Sequence, residues 1–219
     1  MIFAAGFGTR MGSLTRDCPK PLLTVAGRTL LDRTRDLAAA AGLSRVVVNA
    51  HYLADRIAAH LDGTGCTVLI ESPDILDTGG GLKAAVPYLG DGPAFTANPD
   101  IVFLGPNPFD TLAATARPDD MASILLVPLE RAIGPDAGDF RLDAGRPRRV
   151  GDFVFTGIQI IQPDAVRAES KDVFSLNRVW DRLIAENALG AAIYPGSWCD
   201  VGTPEGIDRA EALLKAGHM

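Results

Sequence analysis

Ile2-Phe3-Ala4-Ala5-Gly6-Phe7-Gly8-Thr9-Arg10-Met11 opens the chain, and its reading decides the fold class. The apolar run from Ile2 to Ala5 has the length of a buried strand, and Gly6 ends it. A strand that feeds a glycine-rich loop is a common start of a layered α/β sheet. Gly6 and Gly8 carry no Cβ, so backbone N–H groups there can approach an anion closely, and φ > 0 is open to them. Two familiar phosphate loops are excluded: a dinucleotide fingerprint needs a third glycine where Met11 stands, and a P-loop needs Gly-Lys-Ser/Thr. On its own, the G-x-G is explained equally well by a tight structural turn.

Outward from this loop, short β-rich runs alternate with helical periodicity. Residues 29–41 place Leu30, Leu31, Leu37, Ala38 and Ala41 at helical spacing, with Gly42 as the stop. Further helices are expected at 53–61, 79–89 and 110–117, and strands at 45–49, 68–71, 94–97 and 124–127. Past residue 130 the character changes. Residues 140–142 and 153–161 read as strands with no helix between them, an antiparallel arrangement. Residues 177–187 are helical, 198–203 form a strand leading into a loop, and 204–216 make a closing helix with proline near its start.

The chain has 219 residues, 47% apolar and 22% charged, which suits one packed domain and argues against disorder. No apolar run approaches the roughly 20 residues needed to span a bilayer. The opening apolar run is broken by glycine too soon for a secretory leader, and it leaves room for residues ahead of Met1. A net charge of −6 argues against bulk electrostatic binding of nucleic acid, though not against a small anion held by a few local cations. Cys18, Cys66 and Cys199 form no C-x-x-C pair or zinc spacing, so reduced thiols in a cytoplasmic protein are expected. His51, His60 and His218 have no metal or triad spacing. They read as a strand end, helix surface and tail respectively.

Two cations and two carboxylates stand out by context. Arg10 lies inside the glycine loop, and Cys18-Pro19-Lys20-Pro21 follows shortly after. Prolines on both sides fix the backbone around Lys20. That suits a cation holding a phosphate in one pose, although taken alone the segment reads more readily as an exposed lysine in a turn. Asp100 follows an apolar strand, at the carboxyl edge where α/β sheets place ligands. Asp200 sits in Trp198-Cys199-Asp200-Val201-Gly202-Thr203, where a strand breaks at glycine. Magnesium takes hard oxygen ligands, often only one or two carboxylates plus phosphates and water. Taken singly, each aspartate is also explained as a cap or turn residue.

Together the pieces are far more specific. The run from Phe3 to Met11, then Leu14-Thr15, then Pro19-Lys20-Pro21-Leu22, resembles the start of the nucleotidyltransferase family that activates sugar 1-phosphates. That family opens roughly L-A-A-G-x-G-T-R, with P-K-P-L soon after. Asn98-Pro99-Asp100 stands in the place of its N-x-D element, with Pro99 where a small residue is usual. Trp198 to Thr203 matches its W-x-D-x-G-T element, and the resemblance runs from Ile2 to about Leu214. It implies an α/β, Rossmann-like three-layer nucleotidyltransferase fold with a mixed, mostly parallel sheet and a small antiparallel extension. One domain over 1–219 is expected, with a nucleotide-binding half to about residue 130 and a sugar-binding half beyond. The loop at Ala5, Gly6, Gly8 and Thr9 would wrap a nucleoside triphosphate. Arg10 would hold the leaving pyrophosphate, and Lys20 the phosphoryl oxygens at the reacting centre. Asp100 and Asp200 would hold a catalytic Mg²⁺, converging at a sheet edge beside Lys20.

Three further segments narrow the branch. Asp77-Thr78-Gly79-Gly80-Gly81 offers the Gly80 backbone as a surface for a base, or equally a flexible start to a helix. Residues 138–142 and Phe155-Thr156-Gly157-Ile158, in so short a chain, are similar to the N-acetylmuramic acid 1-phosphate uridylyltransferases of cell-wall recycling. That resemblance implies UTP and a sugar 1-phosphate as substrates, Asp139 and Asn98 on the sugar, and neither nucleic acid nor membrane as partner. Many larger members carry a V-E-K-P lysine; residues 146–152 lack it, as the compact recycling enzymes do. Cys199 should face away from the metal, while Cys18 could lie near the phosphates. Guanylyl or cytidylyl transfer to another phosphate, or a non-catalytic nucleotide-sugar sensor, are the alternatives. Retention of Arg10, Lys20, Asp100 and Asp200 together speaks against the sensor.

Overall fold

The computed structural model describes residues 1–217. Strand β1 (Ile2–Phe3) runs into the glycine loop and a 3-10 segment, Thr9–Thr15, and a second 3-10 turn covers Lys20–Leu22. A short hairpin, β2 (Thr24–Val25) and β3 (Arg28–Thr29), leads into α1 (Leu30–Ala40), where the Thr29 side chain caps the Asp32 N–H. Then follow β4 (Val47–Ala50), α2 (Ala54–Leu61), β5 (Thr67–Ile70), α3 (Asp77–Leu89) and β6 (Ala94–Ala97). Next come β7 (Ile101–Leu104), α4 (Pro108–Ala113), β8 (Ala122–Pro128), β9 (Ala132–Ile133) and the hairpin β10 (Gly138–Asp143) and β11 (Arg146–Gly151). The chain closes with β12 (Phe153–Ile161), α5 (Pro163–Arg167), α6 (Leu176–Ala185), β13 (Leu189–Ile193), β14 (Ser197–Asp200) and α7 (Pro204–Gly217).

The main sheet is mixed. Its order is β11-β10-β12-β6-β1-β4-β5, with β8 also pairing β12 and β13 pairing β8. β1 pairs in parallel with β4 and β6, and β4 with β5, as a layered α/β sheet requires. The antiparallel part is larger than an edge extension, because β12 pairs antiparallel with β6, β8 and β10 in the middle of the sheet. β8 is buried on both faces. Ile124 and Leu126 pack towards α3, α5 and α6, while Leu125 and Val127 pack towards α4, which explains its continuous apolar run. Beside β1 and β4 a third apolar cluster joins Leu31 of α1 to Ile57 and Leu61 of α2. The result is three layers, helices on both faces of one sheet. Among the described residues no helix is long and apolar enough to cross a membrane.

The departures from expectation are local. β7, β11 and β13 are strands where none was expected, and α4 starts at Pro108 rather than 110, with the Asn107 side chain accepting from the Phe109 N–H. His60 is not simply helix surface: its Nε2 meets Asp32 Oδ2 at 3.0 Å and ties α2 to α1. His51 does end a strand, where its Nδ1 donates to the Glu71 carbonyl at 2.9 Å. His218 lies outside the described residues.

Candidate active site

A cleft of about 360 Å³ opens at the carboxyl ends of β1 and β6, lined by Gly6, Gly8, Thr9, Arg10, Lys20 and Asp100 among others. The glycine loop is shaped by opposite needs at its two glycines. Gly8 has φ 63°, and a Cβ there would stand 2.9 Å from Lys20 Cβ, so glycine is required by the protein itself. A Cβ on Gly6 would meet nothing within 4 Å. Packing within the protein does not demand glycine there, and its bare backbone is left open at the cleft. Ala5 lines the same cleft.

Lys20 begins the 3-10 turn after extended Pro19 (φ −63°, ψ 141°), and Pro21 behind it is buried. Its side chain is only 11% exposed, and its ammonium pairs with Asp100 Oδ2. The cation is thus mounted rigidly and already sits on one of the two carboxylates. Pro99 does not turn Asp100 away from the cleft.

Asp100 and Asp200 come together by a route the sequence did not suggest. They share no edge of the main sheet. Asp200 ends β14, which pairs antiparallel with β7 in a separate sheet with β9, and Asp200 stands opposite Ile101. The Val201 N–H donates to the Asp100 carbonyl at 2.9 Å and locks the register. Arg10 Nη1 lies 4.0 Å from Asp200 Oδ2. A Cβ at Gly202 would fall 2.7 Å from that oxygen and 2.8 Å from Arg10 Nη2, so only glycine allows this juxtaposition.

Burial, then the charge of Asp100, push the Asp200 carboxyl above its usual range, while Lys20, Arg10 and the Gly202 N–H pull it down. The charge of Asp100 therefore reaches the Asp200 carboxyl. A divalent cation would relieve that repulsion, and a pair of hard oxygen donors is a set magnesium accepts. Among the described residues no group of three or more His, Cys, Asp or Glu could hold a metal. A cation here would take its other ligands from phosphate and water.

Residues 1–135 match the MobA-like NTP transferase domain. The chain belongs to that family. It is 36% identical to N-acetylmuramate alpha-1-phosphate uridylyltransferase of Caulobacter vibrioides, over 98% of this chain and 96% of the relative. Identity to the protein of the same name from Neisseria meningitidis serogroup B is 33%, over 99% and 98%. In fold, it superposes on the inositol-1-phosphate CTP transferase of T. maritima with a TM-score of 0.81 at 16% identity, covering 99% and 95% of the two chains.

This nucleotidyltransferase has a second cavity, of about 300 Å³, sharing Phe3, Asp77, Thr78 and Asn98 with the cleft. Asp139 lines it, with Oδ2 accepting from the Phe155 N–H at 2.9 Å. Asn98 is set by Gly157 (φ 89°), whose carbonyl accepts from the Asn98 N–H at 2.9 Å; a Cβ on Gly157 would press on Asn98 Cβ at 3.0 Å.

Gly80 is placed differently from expectation. It is buried in α3, its N–H donates to the Phe174 carbonyl at 3.0 Å, and a Cβ would stand 2.0 Å from the Asp172 carbonyl oxygen. Gly79 and Gly80 pack against residues 172–174 and Gly81 against Glu71 and Asn49, so the glycine run is a packing device and its backbone is not open to a base. Cys199 is buried with Val25, Val102 and Val201, and burial raises its thiol to about 11. Cys18 does not line the cleft.

Sequence reading missed the floor of the nucleotide half. Buried Glu71 accepts from Asn49 Nδ2 at 2.7 Å and from the Leu76 N–H at 2.8 Å, and Asn49 Oδ1 accepts from the Ala4 N–H at 2.9 Å. This fully paired network joins β1, β4 and the approach to α3 beneath the cleft. Its one visible signal is Asn49, a polar residue inside an apolar strand.

Proposed function

We propose that the enzyme transfers a uridylyl group from UTP to N-acetylmuramic acid 1-phosphate, releasing pyrophosphate, with Mg²⁺ on Asp100 and Asp200. One observation carries the reading: the glycine loop, two cations and Asp100 line one cleft, with Asp200 beside it 4.0 Å from Arg10, and that cleft continues into a second cavity lined by Asn98 and Asp139. Near full-length likeness to two uridylyltransferases supports the choice of substrates.

The backbone of Ala5, Gly6, Gly8 and Thr9 holds the triphosphate, and Arg10, at the mouth, takes the departing pyrophosphate. Lys20 moves its charge from Asp100 to the phosphoryl oxygens at the reacting centre. Asn98 and Asp139 orient the sugar so that its phosphate oxygen stands in line with the bond to be broken. That oxygen forms a bond to the α-phosphorus, and the α–β bridge breaks to release pyrophosphate. A phosphate monoester is already anionic, so no general base is needed, which agrees with a cleft lined by no histidine among the described residues. Bound Mg²⁺ supplies neutralisation of charge on the phosphates; the cations add fixed electrostatic stabilisation.

The test is a pyrophosphate-release screen crossing the four common ribonucleoside triphosphates with a panel of sugar 1-phosphates. UTP with N-acetylmuramic acid 1-phosphate gives the highest kcat/KM. A clear preference for GTP with mannose 1-phosphate, or for CTP with a phospho-alcohol, contradicts the reading.

A further inference from the structure

The second cavity contains a cation that the phosphate chemistry does not use. Arg149, on β11, holds its guanidinium carbon 4.9 Å from the Phe140 ring centroid and 5.4 Å from that of Trp180. Its Nε donates to Asp181 Oδ1 at 2.7 Å, and its Nη2 to the Asn177 carbonyl at 3.1 Å. Two aromatic faces and two hydrogen bonds fix the planar group in one pose. Nη1 has no hydrogen-bond partner among the described residues, and the side chain is 32% exposed. The backbone beside it is strained: Val150 has φ 65°, a region β-branched residues rarely adopt. Such strain persists only where the surroundings hold it, and here Arg141 Nη1 donates to the Arg149 carbonyl at 2.7 Å.

Position decides what this cation is for. Arg10, Lys20 and Asp100 line the cleft and not the second cavity, while Arg149 lines the second cavity and not the cleft. The acceptor's phosphate charge is therefore met elsewhere. Asp77 and Asp139 also border the second cavity, so an anion is disfavoured there except against Arg149. Asp181 competes weakly, since its side chain is 61% exposed. Resting on the sugar 1-phosphate acceptor proposed above, we propose that Arg149 is a specificity residue, binding a carboxylate carried by a substituent of the sugar ring. The lactyl ether of muramic acid supplies such a group, and a neutral sugar leaves Nη1 unpaired.

The test compares UTP-dependent turnover of N-acetylmuramic acid 1-phosphate with that of N-acetylglucosamine 1-phosphate, the same amino sugar without the carboxylate. Wild type, Arg149→Gln and Arg149→Lys are measured with both acceptors. Arg149→Gln raises KM for the carboxylated acceptor by about 10- to 100-fold, the usual effect of losing a charge-assisted hydrogen bond. KM for the acceptor without the carboxylate and for UTP is unchanged, and Arg149→Lys restores part of the loss. If Arg149→Gln does not fold, Arg149→Lys carries the test with a smaller split in the same direction. Equal losses on both acceptors reduce Arg149 to a staple between β11 and α6 and overturn the inference alone. A wild type that does not favour the carboxylated acceptor overturns the proposed substrate, and this inference with it.

Discussion

Replacing Gly202 by alanine puts a Cβ 2.7 Å from Asp200 Oδ2 and 2.8 Å from Arg10 Nη2. No Cβ tolerates such contacts, so something must move. Both atoms end side chains, and that of Arg10 is 66% exposed, so they yield before the backbone does. The Arg10–Asp200 pair, at 4.0 Å with Arg10 66% exposed, contributes at most about 1 kcal/mol to stability. A loss of that size lowers Tm by only about 2–4 °C in a domain of this length. The same displacement shifts a proposed metal ligand and a phosphate-holding cation by the order of 1 Å, which costs about 100-fold in rate. Gly202→Ala should therefore lower kcat in a pyrophosphate-release assay about 100-fold while thermal denaturation barely changes. A variant with wild-type kcat refutes the reasoning, because it shows the juxtaposition at Gly202 to be irrelevant to turnover.

Lys20→Ala should lower turnover by at least about 100-fold, the scale of one charge-stabilising donor, with the fold intact; near-normal turnover removes Lys20 from the reaction. Gly80→Ala forces the backbone at Asp172 to move, since the new Cβ would lie 2.0 Å from its carbonyl oxygen. Stability should fall by about 1–3 kcal/mol with nucleotide preference unchanged; an unchanged Tm with altered preference would restore Gly80 as a base platform. Glu169 is held below its usual 4.5, chiefly by the Arg178 hydrogen bond. A depressed carboxyl contributes stability above its unfolded pKa and loses it as pH falls through the folded one. Glu169→Gln should therefore lower Tm at neutral pH and flatten the loss of stability below pH 4.5; parallel Tm curves for the two proteins contradict this.

What the sequence disclosed depended on how local the cause was. The glycine loop, the proline-flanked lysine and the doubly buried β8 are each written in consecutive residues, and their periodicity or turn chemistry is enough to read them. β11 was hidden because Arg146-Pro147-Arg148-Arg149-Val150 has the composition of a charged turn. It becomes a strand through its partner β10, where Phe140 stands opposite Arg149. β13 was hidden because Leu189-Gly190-Ala191-Ala192 carries little strand preference. Its small residues make room instead, as a Cβ on Gly190 would stand 2.0 Å from Asp120 Oδ2, the partner of Arg146. The site shows the same division. Asp100 and Asp200 stood out by their strand-end positions, but their meeting depends on the β7–β14 register, a long-range pairing no local pattern encodes. Gly202 and Arg149 acquire meaning only from that tertiary placement.

The account stands on Asp100 and Asp200 acting as one magnesium-holding pair in nucleotidyl transfer. The most direct measurement follows UTP labelled at the α-phosphorus, with N-acetylmuramic acid 1-phosphate and magnesium, in wild type and in Asp100→Asn and Asp200→Asn. The account predicts one pyrophosphate released per labelled nucleotide sugar formed, no turnover when the divalent cation is chelated, and near-abolition in each variant while both remain folded. Turnover that survives both substitutions at the wild-type rate would contradict it.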